Sequence, residues 1–287
     1  METTNLITMN NKQLSELYFE NSPESPILDL YSYIKNIRKL SIINSIYNIN
    51  IPRFDKLYTL KLVNCDVHYI NNPTFLKNLY LESCINIKSI KNKPLLVNLE
   101  LVNMENITDI INLNSIINIK IKNCPKICEI QYYDTLKTLE IDNCNCIESI
   151  QSYNKLEILT LLNLNKLSSV FTQKILKKME VYNCNSLYNI SELSNLNNLV
   201  LSNCNNIIKI PEYNKLDTCI ITNCIYYNEI INYNNISHSI YKDKLEKNIE
   251  KIQKKYIKKC INSNSKKYKN DIFCSNIMNN IMSFRVI

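Results

Sequence analysis

The chain has no glycine and no tryptophan among its 287 residues, and only two histidines, His68 and His238. The missing glycine excludes a good deal. A P-loop, a dinucleotide-binding turn, an EF-hand loop and a nucleophile elbow each need glycine where the backbone takes positive φ or approaches a phosphate. Histidine chemistry is equally short of material. His68 follows Cys65 by three residues, but a nucleophile pair needs hydrogen-bond reach, and Cys65 falls where a side chain is expected to face inward. Paired CxxC knuckles are also missing: CPKIC (Cys124, Cys128), CNC (Cys144, Cys146) and CIITNC (Cys219, Cys224) are isolated pairs at unequal spacing, so no zinc site, catalytic residue or cofactor is expected. No apolar run approaches the roughly 20 residues needed to cross a bilayer. The opening METTNLITMNNK lacks the basic-then-apolar pattern of a signal peptide. These absences read as a soluble intracellular protein, placed in the cytoplasm or, if the basic C-terminal run acts as an import signal, the nucleus.

What is present is asparagine, isoleucine and lysine in excess, with 48 Asn, the bias expected of an AT-rich coding sequence. Twelve cysteines would indicate disulfides in a short secreted domain, but neither the length nor the N-terminus fits one. Their positions are more informative. The segment LKTLEIDNC at Leu136 recurs at Ile37, Leu57, Leu76, Leu96, Ile116, Leu156, Leu176, Leu196 and Leu216, always at steps of 20 except for 19 between Leu57 and Leu76, with a weaker copy at Leu14. The consensus is LxxLxLxNCxxIxxI. Its xLxLx centre alternates with period 2 and predicts a short strand with one buried face. Too few residues follow for a helix, so the return path is expected to be extended or a 3₁₀ turn.

This pattern resembles the leucine-rich repeat family in its short, 20-residue form. The resemblance implies a solenoid, a horseshoe or arc with short parallel strands on the concave face and an irregular or 3₁₀ convex side. It also implies an inward ladder at the ninth position of each unit, here Cys65, Cys84, Cys124, Cys144, Cys184, Cys204 and Cys224, with Ser22, Ser45, Met104 and Leu164 in the other units. The asparagine one place earlier (Asn44, Asn64, Asn103, Asn123, Asn143, Asn163, Asn183, Asn203, Asn223 and Asn21, with Ser83 the exception) is expected to turn the chain off the strand, because Asn tolerates left-handed backbone and bonds its own local backbone. Seventeen places into the unit, Phe54, Leu113, Tyr133, Tyr153, Leu193, Tyr213 and Tyr233 are expected to close the core, with tyrosine hydroxyls reaching solvent.

Residues 1–36 read as an N-terminal cap with a degenerate first repeat from residue 14, residues 37–236 as ten repeats, and residues 237–287 as a basic C-terminal cap. In the last segment Leu245, Ile249, Ile252, Tyr256 and Cys260 recur at helical spacing. Residues 242–287 carry eleven lysines and one arginine against four carboxylates, a net +8 equal to that of the whole chain, so the repeats are near neutral.

The expected function is non-enzymatic binding of a protein ligand, a host protein among the candidates, through the concave face. The composition resembles that of repeat proteins of large AT-rich DNA viruses or AT-rich protists. Outward strand positions align into columns, and Tyr80, Glu82, Glu100, Lys120, Lys122, Glu140, Asp142, Glu180 and Tyr182 are the contact candidates. Their mixed charge argues against nucleic acid, which would call for a basic face. Two alternatives remain: a ubiquitin-ligase-type substrate adaptor, and a peripheral tether to anionic membrane or nucleic acid through residues 242–269.

Overall fold

The repeated xLxLx segments form strands, and equal spacing stacks them in parallel. The computed structural model describes residues 15–20, 36–45, 51, 54–70, 75–191, 193–207 and 216–224. The expected C-terminal helical cap and most of the N-terminal cap lie outside these residues, as do Asn21, Ser22, Tyr213 and Tyr233. The described residues contain no helix, and so none long and apolar enough to cross a membrane.

The main sheet has eleven parallel strands, one per coil: β1 (Glu16–Glu20), β2 (Lys39–Ser45), β3 (Thr59–Cys65), β4 (Asn78–Glu82), β6 (Asn98–Val102), β8 (Asn118–Lys122), β9 (Thr138–Asp142), β11 (Ile158–Leu162), β13 (Lys178–Tyr182), β15 (Asn198–Ser202) and β16 (Thr218–Thr222). Register follows the repeat, as in Leu99↔Ile119 and Ile119↔Leu139. The degenerate first copy is a true strand, with Glu16 opposite Lys39.

The return path is more regular than the expected irregular side. It carries short parallel strands of its own: β5 (Ser89–Lys91) beside β7 (Asp109–Ile111), and β10 (Ser149–Ile150), β12 (Ser169–Val170) and β14 (Asn189–Ile190) in a second set. A bridge joins Ile51 to Ile70. The described residues therefore form a two-faced parallel β-solenoid. Inward Leu and Ile from both faces join one apolar core that runs from Leu17 to Cys224.

Both corners of a coil are built alike. At the first, the ninth-position carbonyl accepts the amide three residues on (Ile127 to Cys124, 3.3 Å; Ile147 to Cys144, 3.2 Å). At the second the same turn recurs (Ile116 to Leu113, 3.2 Å; Leu136 to Tyr133, 3.3 Å). The 19-residue coil loses its residue at a first corner: Val67 bonds Cys65 directly at 3.1 Å, and Ile70 still lies buried in the core.

The turning residues are those the sequence indicates. Asn44, Asn64, Asn103, Asn123, Asn143, Asn163, Asn183, Asn203 and Asn223 have φ between 50° and 56°, and Ser83 joins them at 52°. Asn92 and Asn112 do the same at the second corner, at 55° and 58°. Asparagine bears this conformation with less strain than other residues that carry a Cβ, and the chain has no glycine to use instead. The asparagine side-chain amides bond their counterparts in the preceding coil. Asn123 donates to Asn103 at 2.7 Å and Asn143 to Asn123 at 2.9 Å; Asn183 donates to Asn163 at 2.8 Å and Asn203 to Asn183 at 2.7 Å.

Candidate binding surface

A strand buried on one face must show its alternate side chains on the other, and identical register sets these side chains in rows across the sheet. Tyr80, Glu100, Lys120, Glu140, Thr160 and Glu180 lie opposite one another in successive strands. Glu82, Val102, Lys122, Asp142, Leu162 and Tyr182 form the adjoining row. All nine contact candidates thus share one continuous outward face, each partly or fully exposed.

Most of their charges are paired with one another. Lys120 lies 3.1 Å from Glu140, Lys122 lies 3.3 Å from Asp142, and Lys178 lies 3.1 Å from Glu180. Tyr80 donates to Glu82 at 2.5 Å, and the Lys61 ammonium sits 4.7 Å from the Tyr80 ring centroid. Burial, with the acceptor Glu82 beside it, holds the Tyr80 phenol well above the ordinary tyrosine range. Glu100 has no ion pair among the described residues. Asp142 does more than its column mates, since it also accepts from Asn163 at 2.7 Å and so takes the place of the Asn143 side-chain oxygen as the acceptor at that step of the amide ladder. A third row, Thr59, Asn78, Asn98 and Asn118, is tied by amide bonds of 2.5 to 3.1 Å. In β15 and β16 the face becomes uncharged, with Val200, Ser202, Ile220 and Thr222.

The cysteine ladder is internal, as the repeat resemblance implies. Cys65, Cys84, Cys124, Cys144, Cys184, Cys204 and Cys224 are buried and unbridged. Their thiols donate to carbonyls of the main strands: Cys65 to Ile42 at 3.3 Å, Cys184 to Leu161 at 3.9 Å and Cys204 to Val181 at 3.8 Å, each 23 residues back. Burial pushes Cys184 up to about 12 and Cys204 up to about 11. His68 is exposed and lies 3.7 Å from Asp66, while the Cys65 thiol faces the core. No cluster of three or more metal-ligating side chains occurs among the described residues.

The second corner holds what the sequence reading got wrong or missed. The hydroxyls of Tyr133 and Tyr153 do not reach solvent: Tyr133 donates to the Ile110 carbonyl at 2.5 Å and Tyr153 to the Ile130 carbonyl at 3.0 Å, both buried. The same column contains two polar residues, Lys93 and Gln173, at 7% and 0% exposure. Gln173 donates to Gln151 at 2.7 Å and to Phe171 at 3.0 Å, and accepts the Tyr153 amide at 2.9 Å. The 20-residue phase alone would have located both, had the column been read by position and not by hydrophobicity. No protein-family model, no curated protein and no solved structure matches the chain.

Proposed function

We propose that this chain is a non-enzymatic leucine-rich-repeat protein that binds another protein through the outward face of its main sheet, the concave face of the arc that such a repeat implies. One observation carries the reading. Inward positions are almost uniformly Leu and Ile from coil to coil, whereas the outward positions in register with them run through Tyr, Glu, Lys, Thr, Val and Leu. A constant frame with a varied surface is how solenoids acquire distinct ligands. Size supports the same reading. Eleven strands of about five residues offer a face of about 48 Å by 17 Å, or about 800 Å², which is one partner's share of a standard interface.

The test compares affinity capture from cell lysate by the unmodified chain and by a swap of Lys120→Glu with Glu140→Lys. The swap keeps the ion pair and the strand but reverses the pattern a ligand would read. Retention of one protein by the unmodified chain and its loss with the swap, at equal thermal stability, is the expected result. Identical capture by both chains overturns the reading.

A further inference from the structure

The β8 and β9 coils, which run from Ile116 and Leu136, contain four cysteines, and the rung ladder explains two. Cys124 and Cys144 are fully buried at their ninth positions. Cys128 and Cys146 lie outside the core, one exposed and the other half-exposed, and nothing in the sheet or its turns uses them as packing.

Their relative placement follows from backbone geometry. The two coils are in 20-residue register, Lys122 opposite Asp142, and turn the same corner through the Ile127 to Cys124 and Ile147 to Cys144 bonds. Cys146 therefore faces Lys126, two residues short of Cys128. The offset is closed from the other side, because the Cys128 thiol folds back to the Lys126 carbonyl at 3.5 Å. The Lys126 side chain is drawn away to the preceding coil, where its ammonium bonds Asn106 at 2.6 Å. The Cys128 sulfur is thus turned back toward the position that Cys146 faces across the coil boundary. The neighbouring Cys146 thiol, together with desolvation, holds the Cys128 thiol above the ordinary thiol range, and Lys166, one coil further on, offsets this only in part.

From this juxtaposition we infer that Cys128 and Cys146 form a reactive surface dithiol, which closes to a disulfide between adjacent coils by exchange with a low-molecular-weight disulfide. Either thiol can start the exchange; Cys128 is the more accessible. Its thiolate attacks one sulfur of the small disulfide, forming a mixed disulfide and releasing one small thiolate. The Cys146 thiolate then attacks the Cys128 sulfur, forming the Cys128–Cys146 bond and expelling the second small thiolate. Two protein thiols are oxidised, one small disulfide is reduced to two thiols, and the two cysteine protons pass to the released thiolates. Cys124 and Cys144 straddle the same coil boundary but are shielded by the core, so they serve as an internal control.

The experiment treats the full chain with oxidised glutathione, alkylates the remaining free thiols and maps the cysteines by peptide mass spectrometry. The expected product is one cross-linked peptide joining Cys128 to Cys146, lighter by two hydrogens, reversed by excess reduced glutathione. Cys124 and Cys144 should become alkylated only after denaturation. In a Cys146→Ser chain, glutathione should instead accumulate on Cys128, because the resolving thiol is gone. A stable glutathione adduct on Cys128 in the unmodified chain overturns the inference. So does a link from either residue to another cysteine, or the absence of any reaction at both.

Discussion

The ammonium of Lys93 donates to the carbonyl of Ile70 at 3.2 Å, across the same 23-residue interval that separates Tyr133 from Ile110 and Tyr153 from Ile130. One corner position thus takes whatever donor reaches the preceding coil, and in one coil that donor is a cation buried in an apolar wall.

Burial pushes the Lys93 ammonium below the ordinary lysine range of 10.5. The unfolded chain keeps this proton to higher pH than the folded one. Stability from this site therefore rises as pH climbs through the window between the lowered value and 10.5. Lys93→Gln, which copies Gln173, should remove that slope and raise stability at pH 7 by about 1–2 kcal/mol. Urea unfolding at pH 7 and pH 10 measures both, and a less stable variant at pH 7 would contradict the account.

The left-handed corner residues should be costly to change. Asn123 bonds the coils on both sides, so Asn123→Ala loses about 1–2 kcal/mol to backbone strain and about 1 kcal/mol to broken amide bonds. Asn123→Gly should lose only the second part, plus a small entropic cost. The reverse change, Ser83→Asn, places the favoured residue at φ 52° and should stabilise by roughly 0.5–1 kcal/mol. Denaturant midpoints of the three variants give the ranking.

Much of this was legible because a period of 20 residues states which side chains are neighbours. The period located the strands, the inward thiols and the left-handed asparagines before any coordinates. The short strands of the second face were legible only as an extended or 3₁₀ return path, not as paired strands. Each spans only two or three residues, as in Ser149–Ile150, whose inward Ile150 lies three places from the buried corner residue Ile147, which carries no period-2 signal. Nor was the direction of the tyrosine hydroxyls legible, since the acceptor belongs to another coil 23 residues away. The outward columns could be listed from sequence, but not that Lys120, Lys122 and Lys178 would be matched to carboxylates, which depends on side-chain reach across the stack.

The buried thiols predict alkaline lability. Below the ordinary thiol value of 9.0 both states hold their protons, and the contribution of Cys184 is fully present. From pH 9 toward about 12 the unfolded chain ionises first, so that contribution drains away. Between pH 8 and 10.5 Cys184 should account for a loss of about 2 kcal/mol. Cys184→Ala should lower stability at pH 8 by about 1 kcal/mol but lose less on going to pH 10.5. The difference between variant and parent isolates the thiol from Lys93, which acts in the opposite direction; equal losses in both would refute the assignment.

The two outward ion pairs of β8 and β9 should be unequal. Glu140 is part-exposed and, among the described residues, forms an ion pair only with Lys120, so Glu140→Gln should cost under about 0.5 kcal/mol. Asp142, at 16% side-chain exposure, accepts from both Lys122 and Asn163, so Asp142→Ala should cost about 1–2 kcal/mol. Thermal unfolding in low and high salt separates them, with the Glu140 effect vanishing in salt and the Asp142 effect persisting in part.

The main-sheet ladder runs from each coil to the next, about 20 residues along the chain, and nothing in it skips a coil. A pull on the chain ends would therefore meet these bonds one coil at a time, in the manner of a zipper. Each coil that yields frees about 65 Å of contour, so under tension this protein pays out slack in even lengths, with the molecule beyond the break still folded.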